Sequence, residues 1–129
     1  MSDRYERGRR RQASLATTDD TRTRVYSELD EIAPDLTRLA TEFAYGDIHT
    51  RPGLDADQRE LVIIGALTAL GDSGVQLRAH VHSALGAGMD RQGVVEAVMQ
   101  TIPYVGFPRA IQAMLAVRAA FQDRQPRDH

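Results

Sequence analysis

One nearly uninterrupted apolar segment, Leu61 to Leu70, constrains the fold of this chain more than any other feature. Asp55 precedes it as a candidate N-cap, Gln58 stands in the matching capping-box position, and Gly71 follows the last apolar residue. The segment is about half the roughly 20 residues that a membrane span requires. It therefore predicts a central helix that is buried on nearly all sides.

Apolar residues recur at helical spacing through most of the remaining chain, and nowhere do they alternate as in a strand. A second helical pattern runs from about Val75 to Ala87 and ends at Gly88, which suits a left-handed conformation. Two prolines and a glycine between Pro103 and Arg109 predict a break before the last helix. We expect an all-α bundle of about six helices, formed by a domain spanning residues 19–123.

Both ends of the chain are polar, and five arginines crowd the first: Arg4, Arg7, Arg9, Arg10 and Arg11. Residues 1–18 are predicted to be a disordered, arginine-rich tail. Such a tail is either a solvated terminus or an arm for an anionic partner. Residues 124–129 are predicted to be a second polar tail.

The composition excludes several classes of chemistry. Cysteine is absent from the 129 residues, so the chain has no disulfide, thiolate nucleophile or thiolate metal site. All 16 basic residues are arginine, which excludes a lysine Schiff base. A net charge of −2 gives no general attraction to nucleic acid or membranes. We expect a cytoplasmic protein, without a signal peptide, whose broad apolar helix faces favour a homo-oligomer.

Two histidines, His80 and His82, are the first candidates for chemistry. On a helix, residues two apart diverge by about 200°, so the pair is unsuited to holding one metal ion and no metal site is predicted. His80 lies at the edge of an apolar stripe and is the favoured acid–base residue. His82 falls with Arg78 on the polar side, and the sequence leaves open which histidine is catalytic.

Three further polar residues allow two interpretations each. Glu60 is either a first-turn acid favoured by the helix dipole or a buried carboxylate with a raised pKa. Tyr104 and Arg109 flank the proline-rich break, where they could bind an anionic substrate. Alternatively, the break is a corner between helices, with Tyr104 packed in the core.

Several short motifs, in this order and spacing, resemble the carboxymuconolactone decarboxylase family: Leu54-Asp55-x-x-x-Arg59-Glu60-Leu61, His80-x-x-x-Ala84-Leu85-x-x-Gly88, Glu96, Gln100 and Tyr104-x-Gly106-x-Pro108. In the related alkylhydroperoxidase D-like proteins, two cysteines precede the matching histidine. Ser73 and Gln76 stand at those positions here, so the resemblance implies the cysteine-free branch.

The resemblance implies an alkylhydroperoxidase D-like helical fold, assembled as a trimer or hexamer, and a decarboxylase that needs no cofactor. Its expected substrate is a carboxylated lactone such as γ-carboxymuconolactone. His80 would be the proton donor or oxyanion partner, and Glu60 would orient it or shuttle the proton. The expected substrate-binding residues are Arg59, His82, Tyr104 and Arg109. Alternatives are an isomerase, cyclase or hydrolase of the same fold, or a non-catalytic oligomeric binding protein.

Overall fold

Seven α-helices and one π-helical segment form the part of the chain that the computed structural model describes, residues 2–17 and 21–123. The α-helices are α1 (Asp3–Ser14), α2 (Thr21–Asp30), α3 (Pro34–Leu39), α4 (Ala56–Leu70), α5 (Gly74–Gly86), α6 (Arg91–Val105) and α7 (Phe107–Asp123). The π-helical segment, Ala40–Ile48, continues α3 directly. No strand occurs within these residues, which confirms the all-α prediction.

The core lies among the last four helices. α4, α5, α6 and α7 contribute its buried apolar side chains: Ile64, Leu77, Val81, Ala84, Val94, Val98, Ala110, Ala113, Val117 and Ala120. Small residues line α7, so the helices approach closely there. None of the described helices is long and apolar enough to cross a membrane.

The predicted helix boundaries around this core are confirmed. Gln58 accepts a hydrogen bond of 2.8 Å from the Asp55 backbone N–H, and together they form the capping box of α4. The Asp90 carboxylate accepts from the Gly93 N–H at 2.7 Å and caps α6. Gly88 follows α5 with a φ of 104°, a conformation that glycine adopts without strain.

Two expectations about these helices are wrong. α4 is not buried on all sides, because its neighbours cover only the face with Glu60, Ile64 and Thr68. Val62 and Leu70 on its other faces are 63% and 72% exposed. The proline-rich break is also shorter than predicted, because one residue, Gly106, separates α6 from α7.

Helix α6 runs through Pro103 to Val105. A proline removes one hydrogen bond, and here it does so in the last turns of the helix at an exposed position. Gly106, with a φ of 87°, makes the whole corner, and α7 begins at the next residue.

Residues 2–17, which the sequence analysis assigned to a disordered tail, are ordered in the structure. Most of them form α1, which packs along the π-helical segment. Two glycines allow this approach: a Cβ on Gly8 would lie 2.1 Å from the Thr41 carbonyl oxygen, and one on Gly46 would lie 2.3 Å from the Arg4 carbonyl oxygen. The prediction failed because α1 docks without an apolar stripe. The predicted tail at 124–129 lies outside the described residues.

Charged and polar groups complete the contact between α1 and the π-helical segment. The Arg4 Nε lies 3.0 Å from each Asp47 carboxylate oxygen, and the Arg7 Nε donates to the Gly46 carbonyl at 2.6 Å. The Ser2 hydroxyl donates to Glu42 at 2.7 Å. The arginines that suggested a solvated tail therefore hold this helix in place.

Candidate functional site

The site is built around Glu60, which is fully buried in the first half of α4. Its two carboxylate oxygens lie 3.1 and 3.2 Å from Nδ1 of His80, which projects from the neighbouring α5. The structure thus brings together the two residues that the sequence proposed as a catalytic pair. A carboxylate accepts only, so the His80 Nδ1 carries the hydrogen and Nε2 is left for a substrate.

A second histidine, which the sequence analysis missed, lies on the other side of Glu60. His49 follows the π-helical segment, is 4% exposed, and places Nε2 3.8 Å from Glu60 Oε1. The available signal was a histidine four residues after Tyr45 in the chain. Regular helical periodicity does not show where such a residue points when the helix changes its winding.

Tyr45 stacks between the two histidines. Its ring centroid lies 5.8 Å from that of His49 and 6.5 Å from that of His80, with the latter rings within 3° of parallel. The guanidinium carbon of Arg22 lies 5.0 Å from the Tyr45 centroid. Burial raises the pKa of the Tyr45 phenol well above its ordinary value, so the ring remains neutral.

The local winding explains how Tyr45 and His49 reach this place. The His49 backbone N–H donates to the Ala44 carbonyl at 2.9 Å, five residues earlier, which is the π-helical spacing. π-Helical turns are rare and occur mainly at functional sites, because they rotate side chains away from positions that a regular helix would give them.

Glu60 is ionised in spite of its burial. Burial by itself would raise the pKa of Glu60, but the contacts with His49 and His80 outweigh it and leave the pKa below its ordinary value. Of the two interpretations that the sequence left open, Glu60 is the buried carboxylate, but its pKa is lowered and not raised. Two imidazoles stabilise the charged form, and only one of them is visible in the sequence pattern.

A cavity of about 470 Å³ opens beside His80. Most of its wall is apolar or aromatic, and the lining side chains are Tyr26, Ala40, Phe43, Ala44, Tyr45, Ile48, His49, Leu54, Arg59, Val62, Ile63, Gln76 and His80. Such a size and lining suit a small organic ligand oriented by a few polar groups.

Arg59 is the one cationic side chain of α4 and lies on the wall of this cavity, as the sequence proposed. Its Nη2 donates to the Arg51 carbonyl at 2.6 Å, which anchors the guanidinium. Its Nε is buried and has no hydrogen-bond partner within the described residues. The side chain is therefore held at the cavity with donor capacity that the protein leaves unused.

Comparison with known proteins decides the family. The model of the carboxymuconolactone decarboxylase family matches residues 34–119, more than half of the chain. The chain belongs to the carboxymuconolactone decarboxylase family. Tyr45, His49, Glu60 and His80 all lie inside this match, whereas α1 and α2 precede it.

Two curated proteins with sequences similar to this chain are named as decarboxylases. The chain is 34% identical over 85 residues to the nitrosuccinic acid decarboxylase of Metarhizium robertsii, an alignment covering 66% of this chain and 59% of that protein. It is 30% identical over 100 residues to the 4-carboxymuconolactone decarboxylase of Acinetobacter baylyi, covering 78% and 74%. An uncharacterized 15.0 kDa protein of Paracoccus denitrificans is 29% identical over 96 residues. These names support a decarboxylase-type function.

Three residues expected to bind substrate lie elsewhere in this family member. His82 is 4% exposed rather than on the surface, and its Nε2 lies 3.2 Å from the Asp123 carboxylate, away from Glu60. Hydrogen bonding to Arg78 and then to His82 lowers the pKa of Asp123. His82 thus belongs to an ionic cluster that ties α5 to the end of α7.

Tyr104 and Arg109 also lie away from the cavity that holds His80. Tyr104 is 83% exposed, so it is neither a pocket residue nor part of the core. The Arg109 Nη1 donates to the Ala69 carbonyl at 3.0 Å, and its side chain packs beside Gly71. Arg109 therefore supports the C-terminal end of α4.

No group of three histidine, aspartate or glutamate side chains within residues 2–17 and 21–123 is placed to hold a metal ion. A metal-free site remains a prediction from the sequence.

Proposed function

We propose that this protein is a cofactor-independent decarboxylase of a small acid whose departing carboxylate leaves its electrons to an acceptor group within the same molecule. The buried Glu60–His80 pair carries this proposal, since it places a histidine with an oriented proton on the wall of a 470 Å³ cavity. Glu60 stabilises the imidazolium, and the Nε2–H of that imidazolium is the acid that protonates carbon.

The two decarboxylase relatives act on acids that share this electronic property. In 4-carboxymuconolactone, the electron pair of the breaking C–C bond flows through a double bond into the lactone carbonyl. In nitrosuccinic acid, the pair from the carboxyl beside the nitro group flows into that group as a nitronate. In both cases CO2 leaves and a proton is added to carbon. The protein therefore supplies position, charge stabilisation and one proton.

Both of those substrates also keep a second carboxylate through the reaction. Arg59 is suited to bind it, because its guanidinium lies on the cavity wall with a buried, unpaired Nε. The carboxylate that departs would then lie among the apolar side chains of the cavity. An ion is poorly solvated there, whereas neutral CO2 is not destabilised, so the environment favours loss of CO2.

The experiment is incubation with enzymatically generated γ-carboxymuconolactone and, separately, with 2-nitrosuccinate, while substrate absorbance and CO2 release are followed. We expect CO2 release from at least one of them, abolished in Glu60→Gln. Conversion of a substrate without CO2 release would instead indicate an isomerase, cyclase or hydrolase. Binding without any conversion would indicate a non-catalytic binding protein.

The role of Arg59 has its own test. Arg59→Gln should raise KM for a dicarboxylate substrate by about 10-fold or more with a smaller effect on kcat, because the lost ion pair exists in ground and transition states alike. Arg24→Gln is the matched control, since Arg24 is an exposed residue of α2 outside the cavity. Equal KM values in the two variants would exclude Arg59 from carboxylate binding.

We also propose that the protein works as a homo-oligomer. α7 exposes Phe107, Ile111 and Leu115 on one stripe, each between 55% and 66% exposed. Leu70 and Tyr104, at neighbouring helix ends, are 72% and 83% exposed. Large apolar surfaces on a small chain are typical of subunit contacts, and a trimer or hexamer agrees with the family resemblance.

A further inference from the structure

The N-terminal helix α1 reaches the candidate site through one side chain. Arg11, in the last turn of α1, places Nη1 3.4 Å from Nδ1 of His49. α1 lies outside residues 34–119, so neither the family match nor the roles proposed above include it. We propose that Arg11 is a positioning residue that fixes His49 as a neutral imidazole with its hydrogen on Nε2.

The hydrogen-bond inventory leads to this assignment. A guanidinium donates and has no acceptor, so the Nδ1 of His49 is the accepting nitrogen and carries no hydrogen. A neutral imidazole then has its hydrogen on Nε2. That nitrogen lies 3.8 Å from Glu60 Oε1, which is beyond hydrogen-bond distance but close enough for its N–H group to stabilise the carboxylate charge. The group that donates to the Nδ1 of His49 thus determines what its other nitrogen presents to Glu60.

The groups around His49 show why the assignment has a function. Arg11 faces it from α1, Glu60 from α4 and Tyr45 from the π-helical segment, while His80 lies across the shared carboxylate. A second proton on His49 would sit on Nδ1, directly against the Arg11 guanidinium. Glu60 therefore lies between a neutral imidazole, that of His49, and the imidazole of His80, which carries the proton that can be transferred.

The packing of α1 makes this arrangement rigid. The close glycine contacts and the arginine bonds to Asp47 and the Gly46 carbonyl fix α1 on the segment that carries Tyr45 and His49. Side chains held by several neighbours position a site better than side chains on a free terminus. Arg4, Arg7 and Arg11 of the arginine-rich N-terminus are accordingly structural parts of the site.

The test is the tautomer of His49, measured on the full chain by long-range 1H–15N NMR correlation with 15N-labelled histidine. The chain has four histidines, and His49→Gln identifies the signal. We expect the parent His49 to be neutral with its hydrogen on Nε2 at neutral pH. A His49 with its hydrogen on Nδ1, or with both nitrogens protonated, would overturn the proposal without any variant of Arg11.

Variants of Arg11 add the functional measurement. Arg11→Met should release His49 to a mixture of forms, while Arg11→Lys, which also only donates, should retain the Nε2–H form. Arg10→Met is the matched control on an exposed position of the same helix and should match the parent. An unchanged His49 tautomer in Arg11→Met would refute the positioning role.

The catalytic part of this inference rests on the proposed decarboxylase function, whereas the NMR result does not. For a substrate that the parent converts, Arg11→Met should lower kcat by about 10-fold or more, with KM little changed and a pH–rate profile of altered shape. Arg11→Lys should recover most of the loss. If the tautomer changes but the pH–rate profile does not, His49 has no part in the reaction.

Discussion

Glu60 is ionised although it is fully buried. The two histidines that stabilise its charge, His49 and His80, have different roles in the site. Both histidines line the cavity, but His80 contacts both carboxylate oxygens, whereas His49 is 4% exposed and contacts Arg11. Because Arg11 fixes the proton of His49, the buried carboxylate is suited to stabilising a second proton on the imidazole of His80. The reactive nitrogen of the site is then Nε2 of His80.

Replacement of either member of the pair should remove most of the turnover while the fold persists. His80→Asn and Glu60→Gln should each lower kcat by about 10²–10⁴-fold, as expected for loss of a general acid or of the group that holds it. The double variant should be scarcely worse than the poorer single one, because the two residues act as one unit.

His82→Asn is the matched control for these variants, since it removes a histidine from the same helix outside the cavity. It should keep near-parent kcat. Near-parent turnover in His80→Asn, with oligomer mass and circular dichroism unchanged, would refute the acid–base role of His80.

The lowered pKa of Glu60 also predicts how stability depends on pH. Because the folded pKa lies below the ordinary value of 4.5, ionised Glu60 contributes its full stabilisation above that pH. As the pH falls below 4.5 and through the folded pKa, the contribution is lost. Glu60→Gln has no such group, so its Tm should fall less steeply than that of the parent between about pH 5 and 3.

Thermal unfolding at several pH values measures this difference. Glu31→Gln, at an exposed position, is the control and should retain the slope of the parent. A Glu60→Gln slope equal to the parent slope would mean that folding does not lower the pKa of Glu60.

The sequence could place Glu60 and His80 because their chemistry is visible locally. Each stands at a regular position of a helix whose caps and apolar spacing are readable. His49 was missed because its position depends on a π-helical winding, which the spacing of apolar residues does not predict. For Tyr104 and Arg109 the sequence left two interpretations open, because polar residues near a helix break can point to a cavity, to solvent or to a neighbouring helix end.

At the scale of helices, the unusual unit is the pair formed by α1 and the π-helical segment. The two approach through Gly8 and Gly46 and are joined by arginine bonds to Asp47 and backbone oxygen. Because Tyr45 and His49 belong to this unit, its packing controls one whole side of the site.

Gly8→Ala should therefore disturb both stability and activity. The added Cβ would lie 2.1 Å from the backbone oxygen of Thr41, so α1 must move away. Overpacking of this kind typically costs about 1–3 kcal/mol. Thermal unfolding should show a lower Tm, and kcat should fall with it because Tyr45 and His49 shift.

Gly74→Ala is the matched control at the start of α5, where a Cβ meets no atom within 4 Å. Alanine is the better helix former, so this variant should be as stable as the parent or slightly more stable. If Gly8→Ala unfolds at the same temperature as Gly74→Ala, α1 does not pack as described.

The helices of the core were predictable and α1 was not, for the same physical reason. α4, α5, α6 and α7 have apolar residues that recur with the helical period, and α4 and α6 also have N-terminal caps, so the existence of these helices is readable locally. α1 has a polar sequence and docks through backbone approach and hydrogen bonds to residues about 40 positions away. Such contacts depend on a partner surface that exists only after folding.

At the scale of the whole molecule, the apolar stripe on α7 remains exposed to solvent in a single chain. Phe107 is 66% exposed, and Ile111 and Leu115 follow at intervals of one helical turn. Sedimentation or light scattering should give a mass of several times the 14.3 kDa chain. A monodisperse monomer at micromolar concentration would contradict the oligomer.

Ile111→Glu should shift the assembly toward smaller species, because it places a charge in the middle of the stripe. Gln112→Glu adds the same charge at an adjacent exposed polar position and should leave the mass unchanged. Dissociation in both variants would indicate that charge, rather than loss of this apolar contact, separates the subunits.

Tyr45, stacked between two imidazoles, also gives the site an optical reporter. The chain has no tryptophan and four tyrosines, so its near-ultraviolet emission is tyrosine fluorescence. The Tyr45 phenol keeps its own proton because burial raises its pKa. The emission of the unlabelled protein therefore includes a signal that comes from within the candidate site.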